Sequence, residues 1–262
     1  MGASRPFAYD PTMRFEDAIV QLERLPDPLP EPTEALRPVA VRETEPVALD
    51  AGRGIRDAAV LVLLYPGPDG EPWTVLTERA AGQLRHAGEV SFPGGAVEPE
   101  DASMAETAIR EAHEEVGLDP TQCGLRLLGQ LGSVEVRASG FRLHPVMAAA
   151  ARRPFLEGDE REVSAVLEVP LRAFMAGAPM VTVEEERSGW RLRYGAYSVA
   201  GYRIWGATAR VLGQLAALLG PADYQGSPLD SSRSAGAGGG GWANDPRPRS
   251  TGSERSDTPA GE

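Results

Sequence analysis

The stretch "FPGGAVEPEDASMAETAIREAHEEVGLDP", residues 92–120, carries the local signals that decide the fold of this chain. Ser103 followed by Glu106 matches a capping box, which indicates that a helix begins directly after the serine. Gly117 suits a left-handed cap at the other end, because glycine adopts that conformation without a steric penalty. The spacing therefore predicts a helix over residues 104–116.

The predicted helix has one apolar stripe and one acidic side. Glu111 and Glu115 are four residues apart and lie one above the other, with Glu114 beside them. Like charges at such spacing repel each other. Two interpretations remain, a solvated acidic face and a set of oxygen ligands for a hard divalent cation such as Mg²⁺. The apolar stripe, expected to pack on a core, consists of Ala105, Ala108, Ile109, Ala112 and Val116.

A glycine turn upstream of the helix favours the metal interpretation. Gly94 and Gly95 have no side chains, so the backbone there can approach a ligand closely. Arg110, four residues before Glu114, can brace the carboxylates from the side, whereas His113 is expected to be exposed. Together these features predict that a diphosphate bridges the turn and metal ions on the acidic helix.

The composition narrows the chemistry that is open to the chain. Its 262 residues carry a formal net charge of −12, and all 26 basic residues are arginine. Nucleic-acid binding is not expected, because phosphate backbones are held by clustered positive charge. The absence of lysine excludes Schiff-base chemistry and a phosphate loop that ends in Gly-Lys-Ser/Thr. A phosphate must therefore be held by arginine, backbone N–H groups or a metal.

Cysteine use and hydropathy indicate the compartment. Cys123 is the only cysteine, so an intramolecular disulfide is impossible and a reducing environment fits best. The sequence opens without a charged segment followed by an apolar leader, and no apolar run reaches membrane-spanning length. A cytoplasmic protein that does not bind membranes is expected.

Composition and the pattern of apolar residues divide the chain into three parts. Residues 1–53 are predicted to hold a helix at 15–25 and a proline-rich connector, residues 26–38, outside the core. Residues 54–220 form the predicted folded domain. Residues 221–262, rich in Gly, Ser, Pro, Arg and Asp, have almost nothing to bury and are predicted to be disordered.

Within the central part, apolar runs and alternation predict strands followed by a last helix over residues 207–220. The runs of residues 58–66 and 73–79 flank a turn and are expected to form a hairpin. The other strand predictions cover residues 89–92, 125–136 and 140–150, the start of 163–175, and a hairpin over 190–206.

The acidic helix and its flanks resemble the signature of a known family. Gly95, Arg110-Glu111, Glu114-Glu115 and Gly117 resemble the Nudix box, the loop–helix–loop of hydrolases that cleave nucleoside diphosphates linked to another group. The gap from Gly95 to Arg110 is one residue longer than in the general box. No glutamate occupies the usual position in the first half, where Asp101 stands nearest. The resemblance implies an α/β protein with the Nudix fold, a mixed β-sheet sandwiched between α-helices.

The flanking sequence is similar to the Nudix subgroup that hydrolyses coenzyme A. The stretch "LTERAAGQLRHAGEVSFPGG", residues 76–95, precedes the box as in that subgroup, although its Leu84-Arg85 pair falls one step late. Further similar stretches follow, and the resemblance covers about residues 55–217. The residues that fit the subgroup pattern are Leu76, Thr77, Arg79, His86, Gly88, Glu89, Phe92, Pro93, Gly94 and Gly95. The similar stretches downstream are 139–146, 161–171 and 202–212.

This resemblance implies a metal-dependent diphosphatase that converts coenzyme A, or a derivative, to 3′,5′-ADP and 4′-phosphopantetheine. Mg²⁺ or Mn²⁺ would be held by Glu111, Glu115 and Glu114, and Arg110 would orient these glutamates. One of the three carboxylates, or a distal one such as Glu162, would accept the proton of the attacking water. The catalytic set is therefore Glu111, Glu114, Glu115 and Arg110.

Four residues are candidates for substrate binding: Gly94, Gly95, Arg79 and His86. For Arg79 and His86 the alternative is structural, a salt bridge and a loop-bracing hydrogen bond. The substrate is expected to be a small molecule, and the sequence leaves the oligomeric state open, with a homodimer as one option. Two other functions also stay open: hydrolysis of another diphosphate such as ADP-ribose, and a silent domain that binds nucleotides without turnover.

Overall fold

A computed structural model describes residues 13–40, 54–80, 88–136, 139–175, 177–187 and 190–220. His86 and the tail predicted to be disordered lie outside these residues. Four helices are found among them: α1 (Phe15–Leu22), α2 (Met104–Val116), α3 (Pro120–Cys123) and α4 (Gly206–Leu219). Short 3₁₀ turns cover Glu34–Leu36 and Leu171–Phe174. The strands are β1 (Val39–Ala40), β2 (Arg56–Pro66), β3 (Pro72–Arg79), β4 (Val90–Ser91), β5 (Gly94–Ala96), β6 (Leu125–Gln130), β7 (Val134–Val136), β8 (Phe141–Ala150), β9 (Val163–Pro170), β10 (Met180–Arg187), β11 (Trp190–Val199) and β12 (Tyr202–Ile204).

The larger sheet is mixed. Strands β2 and β8 pair in parallel, with Ala59 beside His144, whereas β3, β4, β5, β6, β7 and β9 join by antiparallel pairing. The predicted hairpin of β2 and β3 is confirmed, since Leu64 pairs with Thr74 across the turn. Strand β2 is central, and its near-continuous apolar run is buried along almost its whole length, as expected of a strand covered on both faces.

Helices cover both faces of this sheet, as the predicted fold requires. On one face α2 packs against odd-numbered residues of β2 such as Leu61 and Leu63. On the other face α4 and α1 pack against even-numbered residues such as Val62 and Leu64. Because side chains alternate along a strand, one apolar run serves two cores. Among the described residues, no helix is long and apolar enough to cross a membrane.

A second, smaller sheet consists of β1, β11, β10 and β12. The hairpin predicted over residues 190–206 is confirmed as β11 and β12, where Val199 pairs with Tyr202. The sequence analysis made no prediction for β10, which pairs along its whole length with β11.

The segment before the larger sheet contributes to its core. The helix α1 buries Ile19 and Leu22, and the Gln21 side chain donates a hydrogen bond of 2.6 Å to the Leu218 carbonyl of α4. Leu36 is fully buried in the same apolar cluster. The prediction that residues 26–38 lie outside the core is therefore wrong for this leucine, because a proline-rich composition does not reveal a single buried anchor.

Candidate active site

The helix α2 forms where its capping signals place it. The Ser103 hydroxyl accepts a hydrogen bond of 3.2 Å from the Glu106 amide, and the Glu106 carboxylate accepts one of 2.8 Å from the Ala102 amide. Gly117 ends the helix in the left-handed conformation with φ of 65°. The helix predicted over residues 104–116 is confirmed at both ends.

One face of α2 fixes the direction in which its glutamates point. Ala108, Ala112 and Val116 are fully buried against the sheet, and His113 on the far side is exposed, as predicted. Small alanines bring the helix backbone close to β2 and β5. The acidic side of the helix consequently faces the glycine turn at Gly94.

Glu115 is the most buried carboxylate of the site, with 3% of its surface exposed. Its Oε2 atom accepts a hydrogen bond of 3.1 Å from the Gly94 amide, and its Oε1 atom lies 3.7 Å from Nη1 of Arg79. Burial raises the pKa of Glu115 to about 7, although the Gly94 amide and the Arg79 cation both oppose the shift. The fold therefore holds a carboxylate that ionises near neutral pH.

Glu111 lies against Gly95 with no room to spare. A Cβ atom at Gly95 would come within 2.5 Å of the Glu111 carboxylate, so this position requires glycine if the carboxylate is to stay where it is. Burial also raises the pKa of Glu111, and the Arg110 cation opposes that shift. Two consecutive glycines thus contact two glutamates one helical turn apart.

Arg110 gathers the acidic groups around it. Its guanidinium donates hydrogen bonds of 3.0 Å to Glu111, 3.2 Å to Glu114 and 3.1 Å to the Ala96 carbonyl. It also holds Asp101 through two bonds of 3.0 and 3.1 Å, which lower the pKa of that carboxylate well below its ordinary value. The sequence analysis noted Asp101 only as an imperfect match, and its role as a partner of Arg110 needed the structure.

The three predicted metal ligands differ in setting. Glu111 and Glu115 are screened from water beside the glycine turn, whereas the Glu114 side chain is 52% exposed on the outer side of Arg110. In the part of the chain that the structure describes, no three His, Cys, Asp or Glu side chains converge as a metal cage. One nitrogen of Arg110 donates to both Glu111 and Glu114.

The donor set nevertheless fits a hard divalent cation. The groups are carboxylate oxygens, two of them partly desolvated and held beside a backbone that can approach a phosphate closely. Burial is the largest cause of their raised pKa values, and a bound cation would offset its cost to the ionised carboxylates. Glu111 and Glu115 would hold the ion most directly, with Glu114 available from the exposed side.

A loop brings a further carboxylate to the same place. The Glu157 and Asp159 amides donate hydrogen bonds of 2.9 Å to the Val116 and Glu115 carbonyls, which ties this loop to the end of α2. Glu162 follows, with its carbonyl bonded to the Ala80 amide at 2.8 Å. Its negative charge contributes to the raised pKa of both Glu111 and Glu115.

The chain is similar to a known protein family and to named relatives. The NUDIX domain family model matches residues 55–183. The chain is 35% identical over 159 residues to the Nudix hydrolase NudL of Yersinia enterocolitica. These aligned residues make up 61% of this chain and 79% of the relative. Over 161 residues it is 37% identical to NudL of Pectobacterium atrosepticum, covering 62% and 81%.

The chain therefore belongs to the Nudix hydrolase family and is an enzyme of that class. Enzymes of this family generally use divalent metal ions and act on small-molecule substrates. Among solved structures, the Nudix hydrolase RenU of M. smegmatis is 26% identical, with a TM-score of 0.39 over 46% of this chain and 74% of that one.

Proposed function

We propose that this enzyme hydrolyses the diphosphate bond of coenzyme A or its derivatives, giving 3′,5′-ADP and 4′-phosphopantetheine or acyl-phosphopantetheine. The observation that carries the proposal is the stretch of residues 76–95, which is similar to the coenzyme A subgroup. Its described residues run along β3 and into β5, and they include Arg79 and Gly94, which contact Glu115. The stretch that is similar to the coenzyme A subgroup therefore lies beside the acidic helix, which supports the proposal.

In this proposal Glu111, Glu115 and Glu114 hold Mg²⁺ or Mn²⁺. When bound, the metal neutralises the diphosphate and lowers the pKa of an attacking water. Arg110 acts as a positioning residue, because its guanidinium is already shared among Asp101, Glu111 and Glu114. Removing its charge would leave the carboxylates to repel one another.

The substrate side of the proposed site is the glycine turn. Gly94 and Gly95 place backbone next to Glu115 and Glu111, so a diphosphate that binds a metal on these carboxylates would lie beside the turn. Arg79 supplies a cation 3.7 Å from Glu115 and is a candidate phosphate contact. The proposed contact of His86 lies outside the described residues.

Glu162 is the candidate general base outside the helix. Its side chain is exposed, so it can accept a proton from water, and its backbone is fixed by hydrogen bonds to Asp159 and Ala80. The glutamates of α2 would be engaged by metal when substrate is bound. Among the described residues, the Glu162 carboxylate would then accept the proton.

The deciding experiment offers coenzyme A and ADP-ribose in equal amounts with Mg²⁺ or Mn²⁺ and identifies the products by mass. We expect coenzyme A to be cleaved faster, with 3′,5′-ADP as one product and no activity in EDTA. Faster turnover of ADP-ribose would overturn the substrate assignment. A metal-independent rate would overturn the mechanism.

The matched variants are Glu111→Gln and Glu135→Gln. Glu135 is a half-exposed glutamate of β7 that pairs with Arg142, so its variant removes an arginine-paired carboxylate outside the proposed site. We expect the first variant to lose activity and the second to keep it. A cytoplasmic location is part of the same proposal.

A further inference from the structure

Thr107 is a fully buried threonine of α2 beside the hydrogen bonds around Arg110. Its hydroxyl donates a hydrogen bond of 2.9 Å to Oδ2 of Asp101, in the loop before the helix. Burying a hydroxyl costs free energy unless it has a hydrogen-bond partner, and valine would fill a similar space without that cost. What distinguishes threonine from valine at this position is therefore its bond to Asp101.

The Asp101 carboxylate is the favoured acceptor of this hydroxyl. The Ser103 carbonyl lies 3.3 Å from the Thr107 hydroxyl, but it already accepts the helical hydrogen bond of the Thr107 amide at 3.1 Å. A hydroxyl has one hydrogen to donate, and a charged acceptor binds it more strongly than a neutral carbonyl does. The shorter contact, to Asp101, therefore receives the hydrogen.

Two residues of α2 hold the Asp101 carboxylate. Thr107 donates to Oδ2, and Arg110 donates to both oxygens, at 3.0 Å to Oδ1 and 3.1 Å to Oδ2. The Glu98 amide adds a bond of 2.9 Å to Oδ2 from within the loop. The Asp101 side chain is 6% exposed, so water has little access to replace these donors. Asp101 is thus attached to the helix at two points and to its own loop at a third.

The same side of α2 carries carboxylates of the proposed metal site. Residues three and four positions apart lie together on a helix, so Arg110 and Glu111 follow Thr107 on one side, and Glu114 follows them. Nη1 of Arg110 donates to Glu111 at 3.0 Å and to Glu114 at 3.2 Å. An arginine side chain turns about several bonds, so the direction of Nη1 depends on how firmly Asp101 holds the rest of the guanidinium.

We propose that Thr107 is a positioning residue of the metal site: its hydroxyl fixes the Asp101 carboxylate, which directs Arg110 and so keeps Glu111 in the orientation that a divalent cation needs. This inference rests on the proposed role of Glu111 as a metal ligand. Removing a group that orients a metal ligand typically lowers metal affinity or activity by about 10–100-fold. Thr107 acts through Asp101 and Arg110, so the lower end of that range is expected.

The test measures Mg²⁺ binding by calorimetry on the full chain without substrate, for wild type, Thr107→Val and Thr107→Ser. Valine keeps the branched side chain and removes the hydroxyl, whereas serine keeps the hydroxyl. We expect Thr107→Val to bind Mg²⁺ about tenfold more weakly and Thr107→Ser to bind as wild type does. Unchanged affinity of Thr107→Val would overturn the proposal and leave the threonine a role in packing alone. Thr107→Ala repeats the test if Thr107→Val does not fold.

Thr74→Val is the matched control, because it makes the same substitution at another fully buried threonine. In the part of the chain that the structure describes, the Thr74 hydroxyl has no hydrogen-bond partner, so valine removes no bond there. This variant should bind Mg²⁺ as wild type does. An equal loss in Thr74→Val and Thr107→Val would assign the effect to the exchange of a buried threonine in general, against the proposal.

A double variant tests whether Thr107 acts through Asp101. Asp101→Ala should itself weaken Mg²⁺ binding, and adding Thr107→Val to it should cause no further loss, because the partner of the hydroxyl is already gone. If the two losses instead multiply, Thr107 acts by another route and the proposal is wrong.

A further variant separates this proposal from the one on which it rests. Glu111→Gln should lose Mg²⁺ affinity, because it removes a charged ligand. If it binds Mg²⁺ as wild type does, the metal role of Glu111 fails, and with it the role of Thr107. If Glu111→Gln loses the metal but Thr107→Val keeps it, only the role of Thr107 fails. Neither result depends on the identity of the substrate, since none is present.

Discussion

Glu115 has to be buried to stand beside Gly94, and it has to be charged to bind a cation. Burial raises its pKa from the ordinary value to about 7, so the folded protein holds a proton there that the unfolded chain releases at lower pH. The folded state is consequently favoured below the unfolded pKa. This contribution to stability is lost as the pH rises from that value to about 7.

The first prediction concerns Glu115→Gln in metal-free protein. Glutamine keeps an oxygen for the Gly94 amide but carries no charge, so we expect the free energy of unfolding at pH 8 to rise, by roughly 3 kcal/mol at most. Urea unfolding at pH 8 and at pH 5 measures it, and the gain should be much smaller at pH 5. A variant less stable than wild type at pH 8 would contradict the account of Glu115.

The second prediction compares Gly95→Ala with Gly94→Ala. At Gly95 the added Cβ meets the movable end of Glu111, so the protein should fold with near wild-type stability. The displaced carboxylate should lower turnover about tenfold or more, as expected when a metal ligand loses its orientation. Turnover of coenzyme A and thermal unfolding are measured on the same samples.

Gly94→Ala is the matched control, because its Cβ would meet rigid backbone. It would lie 2.6 Å from Cα of Val60 in the central strand, which cannot yield without moving the sheet. Overpacking of this kind destabilises by about 1–3 kcal/mol or more. Equal loss of stability in the two variants would contradict the assignment of Gly95 to Glu111.

At the scale of elements, local signals predicted both ends of α2, whereas contacts between residues far apart in sequence were not predicted. Ser103, Glu106 and Gly117 lie within the helix or beside it, so sequence alone fixed both ends. Spacing also placed Glu111 above Glu115. The bond from Gly94 to Glu115 joins residues 21 positions apart and depends on packing.

Strand β10, unlike α2, was not predicted from local signals. Its consecutive glutamates hide the alternation that marks a strand, and their partners lie on other strands. Arg193 of β11 donates to Glu184 at 2.8 Å, and Arg203 of β12 donates to Glu185 at 3.2 Å. The sequence does not show that these charges will be paired, so periodicity gave no prediction there.

The third prediction concerns the link between the loop before α2 and the middle of that helix. Asp101→Asn removes the charge that holds Arg110, so we expect turnover to fall about tenfold, through loosened orientation of Glu111 and Glu114. Since Arg110 lowers the pKa of Asp101, its stabilising effect is present above the unfolded pKa and is lost as the pH falls below it.

Asp101→Glu is the control for that variant. It keeps the charge, and a glutamate is the residue that the general box carries in its first half. We expect partial or full recovery of turnover, measured as kcat and KM for coenzyme A. Equal defects in the two variants would show that the shape of the loop, and not the charge on Arg110, sets the activity.

At the scale of the whole molecule, the two terminal segments are predicted to differ in what they contribute to turnover and stability. Truncation at about residue 222 should leave turnover and thermal stability little changed, because the proposed site and both cores are built from residues before that point. The assay compares kcat and Tm of the full and truncated chains. A large loss of turnover would assign the tail a part in catalysis.

The last prediction tests whether the N-terminal segment is part of the folded domain. Leu22 is fully buried beneath α4, and Val20, two positions before it on the same helix, is 52% exposed. Leu22→Ala should therefore lower the free energy of unfolding by about 2–5 kcal/mol, and Val20→Ala should change it by less than about 1 kcal/mol.

Denaturant unfolding measures both variants. A single cooperative transition, shifted as a whole by Leu22→Ala, would show that α1 and the sheet unfold together. Equal small effects would show that α1 only rests on the surface.

Because α4 also carries Thr208, whose hydroxyl donates to the Val90 carbonyl of β4 at 3.0 Å, loosening α1 should also affect the strand that leads into Gly94. We therefore expect Leu22→Ala, and not Val20→Ala, to reduce turnover of coenzyme A at temperatures just below its own unfolding transition.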